Sequence, residues 1–208
     1  MKKSKNTKFI TLMGVLLAIE IIMAFTPLGF VPLGFTKATT IHIPVVIGAI
    51  FLGPLAGIIL GGAFGILSII INTVSPALTS FVFSPFITIG GAQGNIWSLV
   101  IALVPRMLIG IVAYYSYKWV SKIDKTKVIA YATAGVVGSL TNTVLVMSGI
   151  YIFFGQQYAA AKEVTFEALF GVIMGIIGIN GIPEAIVAAI IVALVCKVLK
   201  SVFKEKLY

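Results

Sequence analysis

The sequence is poor in almost every group that performs chemistry. Its 208 residues include one histidine (His42), one cysteine (Cys196), one aspartate (Asp124) and one arginine (Arg106). A lone cysteine cannot close an intramolecular disulfide, and inside an apolar run Cys196 reads as a small buried hydrophobe. No Gly-x-x-x-x-Gly-Lys-Ser/Thr loop occurs, which excludes ATP hydrolysis by the P-loop route. There is no His-Glu-x-x-His and no metal-ligand cluster, and the familiar intramembrane protease sets cannot be assembled. The chain is therefore read as a non-enzyme with no metal and no cofactor.

Charge is equally scarce, at 10% of residues, whereas 60% are hydrophobic and the mean hydropathy is +1.14. Apolar runs this long and unbroken describe an integral membrane protein crossed by helices, not by barrel strands. The net charge of +9 does not suggest nucleic acid. Twelve of the fifteen basic residues fall in three clusters at the ends of apolar runs, namely Lys2, Lys3, Lys5 and Lys8, then Lys118, Lys122, Lys125 and Lys127, then Lys197, Lys200, Lys204 and Lys206. This is the positive-inside pattern. It predicts a single all-α membrane domain over residues 1–208, with six transmembrane helices and cytoplasmic N- and C-termini.

The expected helices cover approximately 9–25, 41–52, 55–72, 98–117, 128–154 and 171–196. The first run resembles a signal peptide, but Thr26-Pro27-Leu28-Gly29 follows it where a cleavage site would stand, so it is read as retained. Gly14 and Ala18 put two small residues one turn apart on its surface, a spacing that admits a second helix. The loop that follows is apolar (Leu28, Phe30, Val31, Leu33, Phe35) and suits either the lipid interface or the roof of a cavity. The second expected helix is too short to span the bilayer upright. In the third, Gly57, Gly61 and Gly65 at strict four-residue spacing predict a close helix crossing. The loop from Thr73 to Ile96 carries no charge.

Arg106 lies near the middle of the fourth apolar run, LVIALVPRMLIGIVAYYSY. A cation at that depth costs roughly 2.5–3.5 kcal/mol on insertion scales and usually faces a bundle interior. The plain alternative is an internal ion pair that locks two helices together. Helix rise places Arg106 roughly 12–14 Å below the outer surface, Asn180 about 13 Å and Glu184 about 19 Å, with Asn142 about 20 Å above the inner surface. Glu20 falls about 8 Å below the outer end of the first helix, and His42 and Asn72 lie at outer helix ends. Trp97 reads equally as an interfacial belt residue or as a pocket wall. Amide and charged groups from several helices thus meet in one outer layer. That layer has donors, acceptors and one anion-binding fork, but no nucleophile partnered with a base. It suits holding a ligand, not converting one.

Several stretches resemble the S components of energy-coupling factor (ECF) vitamin transporters, most of all the pantothenate-type branch. They are Thr26-Pro-Leu-Gly-Phe-Val-Pro-Leu-Gly, Ala38-Thr-Thr-Ile-His-Ile-Pro-Val-Val-Ile-Gly-Ala-Ile-Phe-Leu-Gly-Pro54, Leu78-Thr-Ser-Phe-Val-Phe-Ser-Pro-Phe86, Val104-Pro-Arg-Met-Leu-Ile-Gly110 and Gly138-Ser-Leu-Thr-Asn-Thr143. The block around Ile41 to Pro54 is the most specific. The resemblance implies a six-helix vitamin-binding subunit in a bacterial cell membrane, working with a transmembrane coupling protein and two cytoplasmic ATPases. It implies that the first outer loop is a lid and that Gly14 and Ala18 dock the coupling protein. Among the candidate ligand contacts Arg106, Asn142, Asn180, Glu184, Asn72, His42, Trp97 and Thr39, it assigns the ligand carboxylate to Arg106. Amide and hydroxyl contacts fall to Asn142, Asn180 and Asn72. Riboflavin, folate or a pyrimidine precursor remains open, and would need an aromatic sandwich.

Overall fold

The computed structural model describes residues 2–32 and 37–202, so Leu33, Phe35, Lys204 and Lys206, used above in the loop and charge readings, lie outside the described residues. The helices are α1 (Lys2–Ala24), α2 (His42–Leu52), α3 (Pro54–Val74), α4 (Ile96–Val120), α5 (Val128–Ala161), α6 (Phe166–Ile176) and α7 (Ile182–Val202). A π-helical turn, Ile177–Gly181, joins α6 to α7 into one apolar rod. Among the described residues five helical segments are long and apolar enough to cross a membrane; α2, with 11 residues, is shorter. The protein is an all-helical integral membrane protein.

The chain turns sharply between α2 and α3 because Gly53 adopts φ 94°, open to a residue without a Cβ, and Pro54 then starts α3 with its φ already set. The glycine stripe of α3 is buried where expected, against α4. A Cβ on Gly57 would lie 2.7 Å from Gly110 Cα, and one on Gly65 would lie 2.6 Å from the Ala102 oxygen. At Gly61 a Cβ would overlap the Arg106 carbonyl. The two backbones are in contact, so α3 and α4 form the tight seam of the bundle; α4 also packs on α5, and α5 on α7.

Two connections fold over one end of the bundle, called here the cavity end. The first contains a short turn (Pro27–Gly29) and a hairpin, β1 (Phe30–Pro32) with β2 (Lys37–Thr39). The second contains a turn (Ser80–Val82) and a hairpin, β3 (Thr88–Ile89) with β4 (Ala92–Gln93), closed by Gly90 and Gly91 at φ 57° and 81°. Asn95 then caps α4: its side chain accepts from Trp97 N at 2.8 Å, while Ser98 Oγ accepts from Asn95 N at 3.0 Å.

Several helix boundaries differ from the sequence expectation: α1 begins at Lys2 and not near residue 9, and α7 runs to Val202 and not to about 196, while two further differences lie at the cavity end. Helix α5 continues past Phe154 to Ala161, across a non-helical Phe154 (φ −131°, ψ 17°) whose ring is buried edge-on against Phe81. Burial of that ring carries the helix through Gly155 and two glutamines that read as loop. Helix α6 begins at Phe166, not near Gly171, because the Thr165 side chain accepts from Ala168 N and caps it. The π turn was not expected either. Pro183 has no N–H and its ring clashes with the carbonyl four residues back, at Ile179, so the regular ladder is interrupted there.

At the opposite, lysine-bearing end, Asp124 organises the α4–α5 turn. Its carboxylate accepts from Thr126 N (2.9 Å), Thr126 Oγ1 (2.8 Å) and Ala130 N (3.0 Å), and Lys127 Nζ donates to the Ser121 oxygen. Partial burial of Asp124 opposes ionisation, but hydrogen bonds from Ala130, Thr126 and Lys127 outweigh it and hold the carboxyl below the usual carboxylate value. A depressed folded-state value means stability present above the ordinary aspartate range, near 4, and lost as pH falls through the lower folded value. Asp124→Ala is therefore expected to melt at a lower temperature than wild type at pH 7 in detergent. The gap should narrow as pH drops below about 4; a gap that persists unchanged at pH 3 would contradict this.

Candidate functional site

A cavity of about 1000 Å³ opens at the cavity end between α3, α4, α5 and the π turn. Of the eight candidate ligand contacts, Arg106, Asn142, Asn180, Glu184, Asn72 and Thr39 line it. Helices α3, α4 and α5, the rod formed by the π turn and α7, and the β2 strand thus converge on one space.

Arg106 is 6% exposed and has no carboxylate partner among the described residues. Its surroundings are aromatic and backbone. The Phe64 and Phe83 ring centroids lie 5.5 and 5.1 Å from Cζ, within cation–π range. Nη1 donates to the Ile101 carbonyl, which is the carbonyl that Pro105 leaves without its helical donor. Nε is buried and unpartnered. The alternative of a structural ion pair for this arginine is therefore not what the protein builds.

Glu184 points its carboxylate elsewhere. Oε1 accepts from Thr39 N at 2.9 Å and Oε2 from Thr143 Oγ1 at 3.4 Å, so the first hairpin is tied to α7 and α5 across the cavity wall. Asn180 reaches the cavity from the π turn, one of the commoner places for such turns to serve a site. Asn72 is largely engaged in structure: Nδ2 donates to Ser68 O at 2.8 Å, and Oδ1 accepts from Ser80 Oγ at 2.6 Å. It pins the second loop over α3. Asn142 differs, since its Oδ1 is buried without a partner, and Thr26 Oγ1, also on the cavity wall, is in the same condition.

His42 and Trp97 do not line the cavity. His42 is 1% exposed in the first turn of α2, within the packed core. Trp97 stacks flat on Phe153, with centroids 4.1 Å apart and planes at 7°, and is nearly half exposed. Its indole is held on the bundle surface by that partner. Glu20 is fully buried with both carboxylate oxygens unpartnered, and likewise does not line the cavity. Gly14 and Ala18 lie exposed on α1, and nothing stands within 4 Å of a Cβ built on Gly14.

Sequence reasoning missed Thr26, Thr143, Phe64 and Phe83. Thr143 beside Asn142 and Thr26 at the helix-to-loop break were visible signals. Nothing in spacing points Phe64 and Phe83 at the arginine, because they come from a helix and a distant loop. Among the described residues the assembled site offers a cation without counter-charge, together with an amide oxygen and a hydroxyl that are buried without a partner, around a cavity lined by both apolar and polar side chains. Buried polar atoms normally find partners, and three of those without one among the described residues belong to residues that line this cavity.

The family model "ECF transporter, substrate-specific component" matches residues 8–196. The chain is 35% identical over 194 residues, 92% of each chain, to a protein of Lactococcus lactis subsp. cremoris named pantothenic acid transporter PanT. It is 28% identical over 205 residues, 94% of each chain, to the pantothenate transporter PanT of Leuconostoc mesenteroides subsp. mesenteroides. Both relatives are transporters, and this chain is a multi-pass protein of the bacterial plasma membrane, not an enzyme.

Proposed function

Because the chain belongs to the substrate-specific components of ECF transporters, we propose that it binds pantothenate at the cavity and hands it to an energy-coupling module. Pantothenate carries a carboxylate at one end, an amide in the middle and two hydroxyls at the other end. The observation that carries the reading is an Arg106 guanidinium without a carboxylate partner among the described residues, lining the same cavity as the unpartnered Asn142 Oδ1 and Thr26 Oγ1. Arg106 takes the carboxylate through a charge-assisted fork. Asn142 accepts from the ligand amide or a hydroxyl, Asn180 reaches the same group from the π turn, and Glu184 accepts from a hydroxyl while holding Thr39. Asn72 serves the site by fixing the loop wall. Phe64 and Phe83 cover the guanidinium, so they are not free to sandwich a flat vitamin ring. That favours an acyclic ligand over a flavin, a pterin or a pyrimidine.

The cavity end faces outside and the lysine-bearing end the cytoplasm, with α2 counted as a short sixth span and both termini inside. The lysine clusters support this orientation. Binding needs no nucleotide; uptake needs a coupling protein and two ATPases, with the coupling protein docking on α1 at Gly14 and Ala18, whose surface is free of intramolecular packing.

Three outcomes are expected. In calorimetry, Arg106→Ala and, to a smaller degree, Arg106→Lys lose pantothenate affinity by about 30- to 5000-fold, equivalent to about 2–5 kcal/mol. Panthenol, in which an alcohol replaces the carboxylate, binds wild type weakly and loses little more to Arg106→Ala; equal discrimination between acid and alcohol by both proteins would refute the pocket. Next, Gly14→Trp or Ala18→Trp abolishes uptake in cells that carry the full transporter while pantothenate affinity of the purified chain stays near wild type. A collapse of affinity would place that face in the binding site instead. Finally, an impermeant thiol reagent applied to intact cells labels Leu78→Cys but not Lys122→Cys; labelling at 122 would overturn the orientation.

A further inference from the structure

Pro105 stands inside α4, one residue before Arg106. Lacking an N–H, it cannot donate to the Ile101 carbonyl four residues earlier. Within a bilayer, with no water at hand, such a carbonyl must find another donor. Arg106 Nη1 is that donor. The position within the guanidinium matters. Nη1 lies on the Cδ side of the group, so a bond there ties down one corner and leaves the opposite edge, Nε with Nη2, as the fork that a carboxylate can meet side-on. Nε is buried without a partner, and no hydrogen bond among the described residues reaches Nη2. Phe64 and Phe83 near Cζ limit swinging of the plane.

We propose that Pro105 is a positioning residue for ligand recognition: by freeing the Ile101 carbonyl, it anchors Nη1 of Arg106 and presents the Nε–Nη2 edge to the ligand's carboxylate. This rests on the reading of the cavity as a carboxylate-binding site. Any residue with an N–H at position 105 restores the helical bond to Ile101 and competes with Nη1 for that oxygen. The guanidinium then loses its tether, and a bidentate contact that depends on a fixed plane weakens. The charge stays where it was. The effect is therefore specific to ligands that use the fork.

The test compares pantothenate and panthenol binding by calorimetry to wild type, Pro105→Ala, Arg106→Ala and the double variant, with thermal melts to show that each folds. Pro105→Ala is expected to weaken pantothenate by about tenfold, the loss of one hydrogen-bond-scale contribution, and to leave panthenol within about twofold. In the Arg106→Ala background, Pro105→Ala should have no further effect on pantothenate, because the two act through one group. Pro105→Gly, which restores the N–H with lower helix propensity, should reproduce the loss and stands in if the alanine variant melts out. If Pro105→Ala weakens acid and alcohol equally, or weakens neither, the proline only shapes the helix and the proposal is overturned while the pocket reading stands. If wild type itself shows no preference for the acid, both fall together.

Discussion

A guanidinium buried among apolar side chains without a carboxylate is an expensive thing to keep. Removing the partner of a buried charge typically costs about 3–5 kcal/mol, and most proteins answer with an ion pair. Two glutamates, Glu20 and Glu184, are buried within the bundle, and neither is used for Arg106. The chain instead gives the cation two aromatic faces and one backbone carbonyl, interactions that moderate its cost without neutralising it. The proposed carboxylate contact depends on this, because an internal salt bridge would occupy the guanidinium.

Placing that group required a seam between helices. Gly57, Gly61 and Gly65 let α3 run backbone to backbone along α4, and the closest of these contacts falls on the carbonyl of Arg106 itself. Phe64 lies three residues beyond Gly61 on α3, which is why its ring reaches the guanidinium across the seam. Past Gly65 the stripe stops. The next residues of α3 on that side, Leu67, Ser68, Ile71 and Asn72, border empty space, so the cavity begins where the glycines end. The loops then close it from above through short polar ties: Ser80 to Asn72, Thr73 to Ser84, and Thr39 to Glu184. The floor is packed by shape; the roof is held by these hydrogen bonds and by Phe81 and Val82, which are buried against Phe154 and its neighbours.

What the sequence makes legible follows the same division. Hydropathy, lysine clusters and the glycine stripe speak of features repeated along one helix, and the membrane class, the tight crossing and the convergence of Arg106, Asn142, Asn180 and Glu184 could be read from them. The individual partners could not. That Asn72 is bonded to the loop while it lines the cavity depends on Ser80, which reaches it only after the second loop has folded back. Trp97 and His42 are polar or amphipathic residues at helix ends, the positions a pocket would use, yet one is claimed by Phe153 and the other by the core around α2. Phe83 comes to the guanidinium from a loop more than twenty residues away in sequence, with no periodicity to announce it.

The prolines were visible from the start and their effect was not. Pro105 and Pro183 both interrupt a helical ladder within the bundle, and each does so beside the groups that face the cavity: Arg106 follows the first, while Asn180 and Glu184 flank the second. A helix embedded in lipid satisfies all of its own backbone groups, which leaves the polar side chains of a binding site with nothing to bond to except each other or a ligand. Breaking the ladder changes that balance locally. At Pro105 it creates a backbone acceptor that holds a cation in place. At Pro183 it widens a turn, and the residue carried on that turn, Asn180, reaches the cavity. Each interruption gives up regularity over about one turn, a loss of roughly 3 kcal/mol in an isolated helix. At Pro105 the Arg106 side chain recovers part of that by occupying the freed Ile101 carbonyl, and the recovered bond is the one that fixes the guanidinium.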